Sequence, residues 1–195
     1  MSGYVASSVE RPSKPAAWWG MLILIASEAT LFGAFIGTYF YLRFRALHWP
    51  PDGLPEPKVV LPLILALVLA STSIPMQLAS DAARAGRLAA TRFFVLLALV
   101  VQAGYFAYAV HDFNDQVKTF DITRDAYSSI YYVLLGADHA HVALGILFNL
   151  WLLWKLTRGL TRYRVHATQA IAWYWFAVSA LTLVVILTLS SAAIG

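Results

Sequence analysis

The chain has 195 residues, of which 60% are hydrophobic and 12% charged, and a formal net charge of +4. Because soluble domains carry about 25% charged residues, this composition excludes a soluble globular protein and indicates an integral membrane protein. Basic residues in a membrane chain set its topology, so the positive charge gives no support for nucleic-acid binding. The absence of cysteine excludes disulfides, thiolate metal sites, iron–sulfur clusters and cysteine nucleophiles.

Apolar segments account for most of the chain. Residues 1–17 are polar and lack the apolar core of a signal peptide, so we predict a short cytoplasmic tail. Five apolar segments follow, each near the roughly 20 residues that a helix needs to cross a bilayer. A kink is expected near Pro75 in the second segment. The fold class is therefore all-α, an integral membrane five-helix bundle over residues 18–195. The predicted spans are about 18–41, 59–78, 93–110, 130–154 and 171–194.

The distribution of lysine and arginine predicts the orientation of the bundle. Nine of the 14 lie on the side of the N-terminal tail, and five lie on the opposite side. Since basic residues favour the cytoplasmic side, the N-terminus is predicted to be cytoplasmic and the C-terminus external. An odd number of spans without two similar halves argues against the inverted repeats of many secondary transporters.

Four ionisable residues lie well inside the predicted spans: Glu28, Asp138, His139 and His141. An ionised acid at the centre of a lipid-exposed helix costs about 2.5 to 3.5 kcal/mol, so such residues usually face protein or water. Asp138 and His141 are three residues apart and share one helix face, whereas His139 points elsewhere. Glu28 and His141 come out at similar depths. We expect a membrane-buried polar network of these four residues, with Glu28 hydrogen-bonded to His141 or Asp138.

A metal site is the alternative interpretation of the same residues. Asp138 and His141 could ligate iron or zinc from one face, and Glu28 could supply a third ligand. Ferritin-like dinuclear sites need two Glu-x-x-His motifs, however, and this chain has a single Asp-x-x-His. Haem with two histidine ligands is also disfavoured, because histidines occur at depth only on the fourth helix. We expect no bound metal, no cofactor and no catalytic residue in this chain.

Two further sites are predicted, one for helix packing and one for lipid. Ala29, Gly33 and Gly37 form a small-xxx-small stripe that lets another helix approach closely, and packing within the subunit is favoured over homodimerisation. Four basic residues between the fourth and fifth helices are expected to meet anionic lipid headgroups on the cytoplasmic face. They are Lys155, Arg158, Arg162 and Arg164.

Short motifs occur along the chain in an order that resembles a known family. They are Trp19-Gly20-Met21 with Ser27-Glu28, Trp49-Pro50-Pro51, Gln102-Ala103, Gly136 with His141-Val142 and Gly145, and Ala172-Trp173-Tyr174-Trp175. Over residues 19–190 the chain resembles subunit III of haem-copper cytochrome c oxidases, in the shorter five-helix form found in bacteria. Each motif alone is weak, but all of them in the right order on the corresponding helices make a specific signal.

The resemblance implies an accessory subunit without redox centres in a respiratory terminal oxidase of the bacterial inner membrane. Its partners would be the catalytic subunit I and subunit II, which carry the haem and copper, together with phospholipids. Glu28 matches a membrane glutamate of the family that lies near the proposed oxygen route. The implied role is to support stability, proton uptake and oxygen access of the catalytic subunit during aerobic electron transport.

The chain departs from the family pattern at several positions. Asp138 and Phe176 each stand where the family has histidine, Ser179 stands where it has a carboxylate, and Tyr105 where it often has glutamate. These departures predict a divergent member of the family. They fit an accessory subunit of a nitric oxide reductase or quinol oxidase, which is the near alternative. A third alternative, from another class, is a small proton-coupled transporter that uses Glu28 and Asp138.

Overall fold

The structure, a computed structural model, describes residues 16–54, 57–119 and 121–193. The predicted tail lies outside the described residues except for its last two positions. Within the described ranges all regular structure is helical, with a final 3-10 turn at Ser191–Ala193. The α-helices are α1 (Ala16–Arg45), α2 (Val60–Ser71), α3 (Ser73–Arg84), α4 (Leu88–Thr119), α5 (Ala126–Leu156) and α6 (Arg162–Ser190).

Five helical segments of the described chain are long and apolar enough to cross a membrane, because α2 and α3 together make one span, Val60–Arg84. The predicted all-α fold with five membrane-spanning helices is therefore confirmed. Some helices continue beyond the apolar segments seen in the sequence, since α4 ends at Thr119 and α5 begins at Ala126. Which end of the bundle faces the cytoplasm stays a prediction.

The second span is interrupted at Thr72, between α2 and α3. Pro75 lies three residues further on and has no backbone N–H, so it cannot donate to the carbonyl of Ser71 as a continuous α-helix requires. The Thr72 hydroxyl donates to the carbonyl oxygen of Leu69 at 2.7 Å. The interruption brings two small polar residues, Thr72 and Ser73, into the buried part of the bundle.

Helix α6 occupies the centre of the bundle. It packs against α1, α2, α3 and α5. Half of its most apolar stretch is buried, 50%, whereas the corresponding stretch of α1 is only 6% buried. Among the described helices α1 contacts only α5 and α6. Most of the α1 surface is therefore left uncovered by the described residues, at one side of the bundle.

The connection between α5 and α6 aligns the two helices that carry most of the buried polar groups. Their N-termini are capped by side chains, since Asp125 accepts from the N–H of Ser128 at 2.7 Å and Thr161 accepts from the N–H of Arg164 at 3.3 Å. Such caps satisfy N–H groups that lack a partner within the helix. Gly159 has φ +88°, a conformation that favours glycine, and allows the turn to be short. The antiparallel pair then brings mid-membrane positions of both helices to similar depth.

Candidate functional site

Glu28 and His141 form a hydrogen bond between α1 and α5. Nε2 of His141 lies 2.5 Å from Oε2 of Glu28, and Nδ1 lies 2.6 Å from the carbonyl oxygen of Ala137. A carbonyl can only accept, so Nδ1 is protonated and donates to Ala137. The other contact then joins either a neutral imidazole to a carboxylic acid or an imidazolium to a carboxylate. In both arrangements one proton lies between two helices.

Two aromatic residues hold this pair in place. The ring of Phe32 packs edge-to-face on the ring of His141, with 5.2 Å between centroids. Tyr174 of α6 donates its hydroxyl to the backbone carbonyl of His141 at 2.9 Å. The pair is not sealed within the chain, because the side chains of His141 and Glu28 remain 15% and 19% exposed. A polar pair at this depth with an open side favours cover by protein or water over lipid.

Asp138 binds α6 rather than α1. The Thr182 hydroxyl donates to Oδ1 of Asp138 at 2.6 Å. Oδ2 of the same carboxyl group has no hydrogen-bond partner among the described residues, although Asp138 is only 1% exposed. The structure thus divides the four predicted residues: Glu28 and His141 join α1 to α5, whereas Asp138 joins α5 to α6.

His139 belongs to neither pair. It lies on another face of α5, where its ring packs edge-to-face on Phe113 with 5.6 Å between centroids. It lines a cleft between α2, α4, α5 and α6, together with Tyr105 and Asp112. Spacing along α5 separated His139 from Asp138 and His141, but it did not show which helices His139 would face.

A buried amide cluster joins α4 and α5 to the interruption between α2 and α3, and it was not predicted from the sequence. Nδ2 of Asn149 on α5 donates to Oε1 of Gln102 on α4 at 2.7 Å. Gln102 in turn donates from Nε2 to Oγ1 of Thr72 at 3.0 Å. None of the three residues is more than 2% exposed. The signal was present, because an amide inside an apolar span seeks partners on neighbouring helices.

The small-residue stripe of α1 does not pack against any other part of the chain that the structure describes. Ala29, Gly33 and Gly37 are exposed, and a Cβ atom added to either glycine would meet no described atom within 4 Å. The favoured interpretation, close packing inside the subunit, is therefore wrong. Helix α1 turns its bulky face inward instead, with Phe32 and Tyr39 fully buried. A contact between the stripe and a helix of another chain stays a prediction.

The predicted lipid-facing residues gather at the turn between α5 and α6. Lys155 lies over the ring of Trp154 with its Nζ 4.6 Å from the centroid, and the Arg158 guanidinium lies 5.1 Å from the same centroid. Arg164 donates to the carbonyl of Gly159 at 2.6 Å, and Arg162 begins α6. Basic side chains beside an exposed tryptophan are typical of a membrane interface. Binding of lipid headgroups there stays a prediction.

Residues 16–54, 57–119 and 121–193 contain no group of three or more histidine, aspartate or glutamate side chains placed to hold a metal ion. The fold and its polar contacts define a multi-pass membrane protein in which acids, histidines and amides at mid-membrane depth join neighbouring helices. A sequence model of the family described as cytochrome c oxidase subunit III matches residues 5–191. The chain belongs to this family, and the resemblance seen in its motifs is confirmed.

Three relatives show how far the similarity extends. Cytochrome c oxidase subunit 3 of Thermostichus vulcanus is 26% identical over 158 residues, which cover 80% of this chain and 77% of the relative. The Synechocystis protein of the same name is 25% identical over 137 residues, covering 70% of this chain and 58% of the relative. That of Alkalihalophilus pseudofirmus is 24% identical over 186 residues, 90% of each chain. The chain therefore spans nearly all of one relative but less than two thirds of another.

Proposed function

We propose that this chain acts as the accessory subunit III of a respiratory haem-copper terminal oxidase. The observation that best supports this proposal is the hydrogen bond between Glu28 and His141, which joins α1 to α5 at mid-membrane depth in a chain of this family. Haem and copper belong to the partner subunits I and II in this proposal, and no redox centre belongs to this chain. The complex reduces oxygen in the inner membrane of a bacterium.

The uncovered side of α1 supports a subunit that works in a complex. Its most apolar stretch is 6% buried, and the stripe of Ala29, Gly33 and Gly37 lies open along it. Small side chains permit dense helix packing in a membrane, where lipid provides no hydrophobic drive between helices. We place a transmembrane helix of a partner oxidase subunit against this stripe.

The role that we propose for the Glu28–His141 pair is to support proton uptake and oxygen access of the catalytic subunit. The pair carries a proton in a partly open position between α1 and α5, so a partner helix beside α1 would lie close to it. The basic turn with Lys155, Arg158, Arg162 and Arg164 would meanwhile hold phospholipid at the cytoplasmic face. Both functions are accessory, since neither requires chemistry in this chain.

Purification of the complex through this chain tests the assignment. An affinity tag on the chain, solubilisation in mild detergent and a reduced-minus-oxidised spectrum should reveal haem in a larger copurifying subunit. Metal analysis should find copper in the same complex, and an untagged strain gives the background. Recovery of the chain without any haem protein, or with stoichiometric haem bound to the chain alone, would refute the proposal.

The divergence of α6 favours two further candidates within the same superfamily. Ser179 stands where the family has a carboxylate and is hydrogen-bonded to Ser73 of α3 at 3.4 Å, so a charged group is replaced by a neutral contact. Such a change fits an accessory subunit of a quinol oxidase or nitric oxide reductase. A copper-bearing subunit II in the purified complex distinguishes cytochrome c oxidase from both.

A further inference from the structure

A narrow cleft opens at the end of the bundle where α4 ends and α5 begins. It runs between α2, α4, α5 and α6 and is apolar on one side, with Leu61, Leu65 and Ile186 among its lining residues. Eight of its lining residues carry polar groups. They are Lys58, Tyr105, Tyr108, Asp112, Gln116, Tyr131, His139 and Ser190.

The polar residues at the mouth of the cleft form a continuous set of hydrogen bonds. Nζ of Lys58 donates to Oδ1 of Asp112 at 3.2 Å, and Nε2 of Gln116 donates to Oδ2 of the same carboxylate at 2.5 Å. Tyr131 donates its hydroxyl to Oε1 of Gln116 at 2.6 Å. These charged and amide groups lie at the end of the bundle where α4 ends and α5 begins.

Deeper in the cleft, two polar side chains have no hydrogen-bond partner among the described residues. These are Tyr105, which is 7% exposed, and His139. The cleft has room for a few water molecules. Water in a protein interior collects where several polar groups lack other partners, and the hydroxyl and imidazole meet that condition.

Asp138 and Thr182 lie one helical turn beyond the lining of the cleft. Leu135 lines the cleft and precedes Asp138 by three residues on α5, while Ile186 lines it and follows Thr182 by four residues on α6. Residues at these spacings share a helix face. Tyr105 lies within electrostatic reach of Asp138. Asp138, whose Oδ2 has no hydrogen-bond partner among the described residues, therefore lies one helical turn beyond the residues that line the cleft.

We propose that the cleft is a water-filled proton route from the membrane surface to Asp138. A hydrated proton enters past Asp112 and Gln116, passes over water beside His139 and Tyr105, and protonates the Asp138 carboxylate, leaving a water molecule behind. Release follows the reverse path, so no oxidant or reductant is consumed. The ligands of the site are water and the proton.

The surroundings of Asp138 limit the groups that take part in this exchange. Tyr105 approaches from α4, His141 lies one turn away on α5, and α6 contributes Tyr174 and Thr182. His141 and Tyr174 are already hydrogen-bonded within the Glu28 pair. Tyr105 is thus the residue of this set that also lines the cleft.

Infrared spectroscopy of the full-length chain in lipid vesicles tests the proposal. In a Glu28→Gln background, the stretching band of a protonated buried carboxyl group should respond to a pH step on one side of the membrane. It should also shift after transfer to D2O, and Asp138→Asn should abolish the band. Persistence of the same band in Asp138→Asn, or no response to pH or D2O from either side, would overturn the route.

Two variants test whether the proton route runs through the cleft. Tyr105→Phe keeps the ring and removes the hydroxyl group, whereas His139→Phe replaces the imidazole that lines the cleft with an apolar ring. Each should slow hydrogen–deuterium exchange at Asp138 by about tenfold or more. Tyr163→Phe removes a phenol hydroxyl from an exposed position at the start of α6 and should leave the rate unchanged. Wild-type exchange rates in folded Tyr105→Phe and His139→Phe would refute the cleft as the path. The outcome is independent of whether the chain copurifies with an oxidase.

Discussion

Glu28 and His141 lie 113 residues apart in the chain, and their side chains meet at 2.5 Å between α1 and α5. Since α1 contacts only α5 and α6 among the described helices, this bond is a principal polar link between α1 and the rest of the bundle. Nδ1 of His141 donates its proton to the carbonyl oxygen of Ala137. The one proton of the contact with Glu28 therefore lies either on Nε2 of His141 or on the carboxyl group. The link is therefore tolerant of a neutral hydrogen-bonding group at position 28.

Glu28→Gln and Glu28→Leu should separate the hydrogen bond from the shape of the side chain. Gln retains a partner for Nε2 of His141, so the complex should assemble and only its proton uptake or turnover lifetime should change. Leu leaves Nε2 of His141 without its partner, which costs about 1 to 3 kcal/mol for a buried polar group. Thermal stability of the purified complex measures the difference. Equal loss of stability in both variants would show that the bond to His141 is not the reason for it.

Gly145→Ala should destabilise the contact between α5 and α6. A Cβ atom at position 145 would lie 2.6 Å from Cζ2 of Trp175, and that ring is fully buried. Forcing extra volume into a packed core typically costs about 1 to 3 kcal/mol. Gly136→Ala, on the same helix, is the matched control, because its Cβ would meet no described atom within 4 Å. Equal melting temperatures of the two variants would contradict the close packing seen at Trp175.

The third prediction concerns the buried amide cluster of Gln102 and Asn149. Gln102→Leu removes both the acceptor for Asn149 and the donor to Thr72, so it should destabilise the chain by about 1 to 3 kcal/mol. Replacing both amides, Gln102→Leu with Asn149→Leu, should recover part of the loss, because fewer polar atoms are then left unpaired. Denaturation in detergent, compared across the four members of this cycle, measures the coupling. Strictly additive losses would exclude an energetic link between the two amides.

Much of this arrangement could be predicted from hydrophobicity and depth. Five apolar segments gave the bundle, and similar depth along the first and fourth spans suggested the pairing of Glu28 with His141. Sequence did not show the direction in which each helix faces. Lipid and protein interior are both apolar, so α1 has no amphipathic pattern that reveals its buried side.

The consequences of that ambiguity are visible at two residues. Gly33 could lie against another helix or against lipid with the same local sequence, and the structure leaves it exposed. Asp138 could have reached α1 or α6, and the alignment of α5 with α6 brought it to Thr182. The interruption at Thr72 was likewise hard to place, because Pro75 removes a hydrogen bond from the preceding turn and not at its own position.

The last prediction concerns the exposed stripe of α1. Gly33→Leu and Gly37→Leu should leave the isolated chain folded, because both positions are exposed and a Cβ atom at either would meet no described atom within 4 Å. Both should weaken association with the partner oxidase subunit, since a bulky side chain prevents close approach of a second helix. Gly104→Leu on α4, also exposed and without a described neighbour within 4 Å, is the control for added surface volume. The yield of copurified haem protein measures association, and circular dichroism checks folding.

The chain has no cysteine, so a cysteine introduced at position 33 gives a unique crosslinking site for the partner. Undiminished yield in both α1 variants, together with no crosslink to an oxidase subunit, would show that the stripe faces lipid.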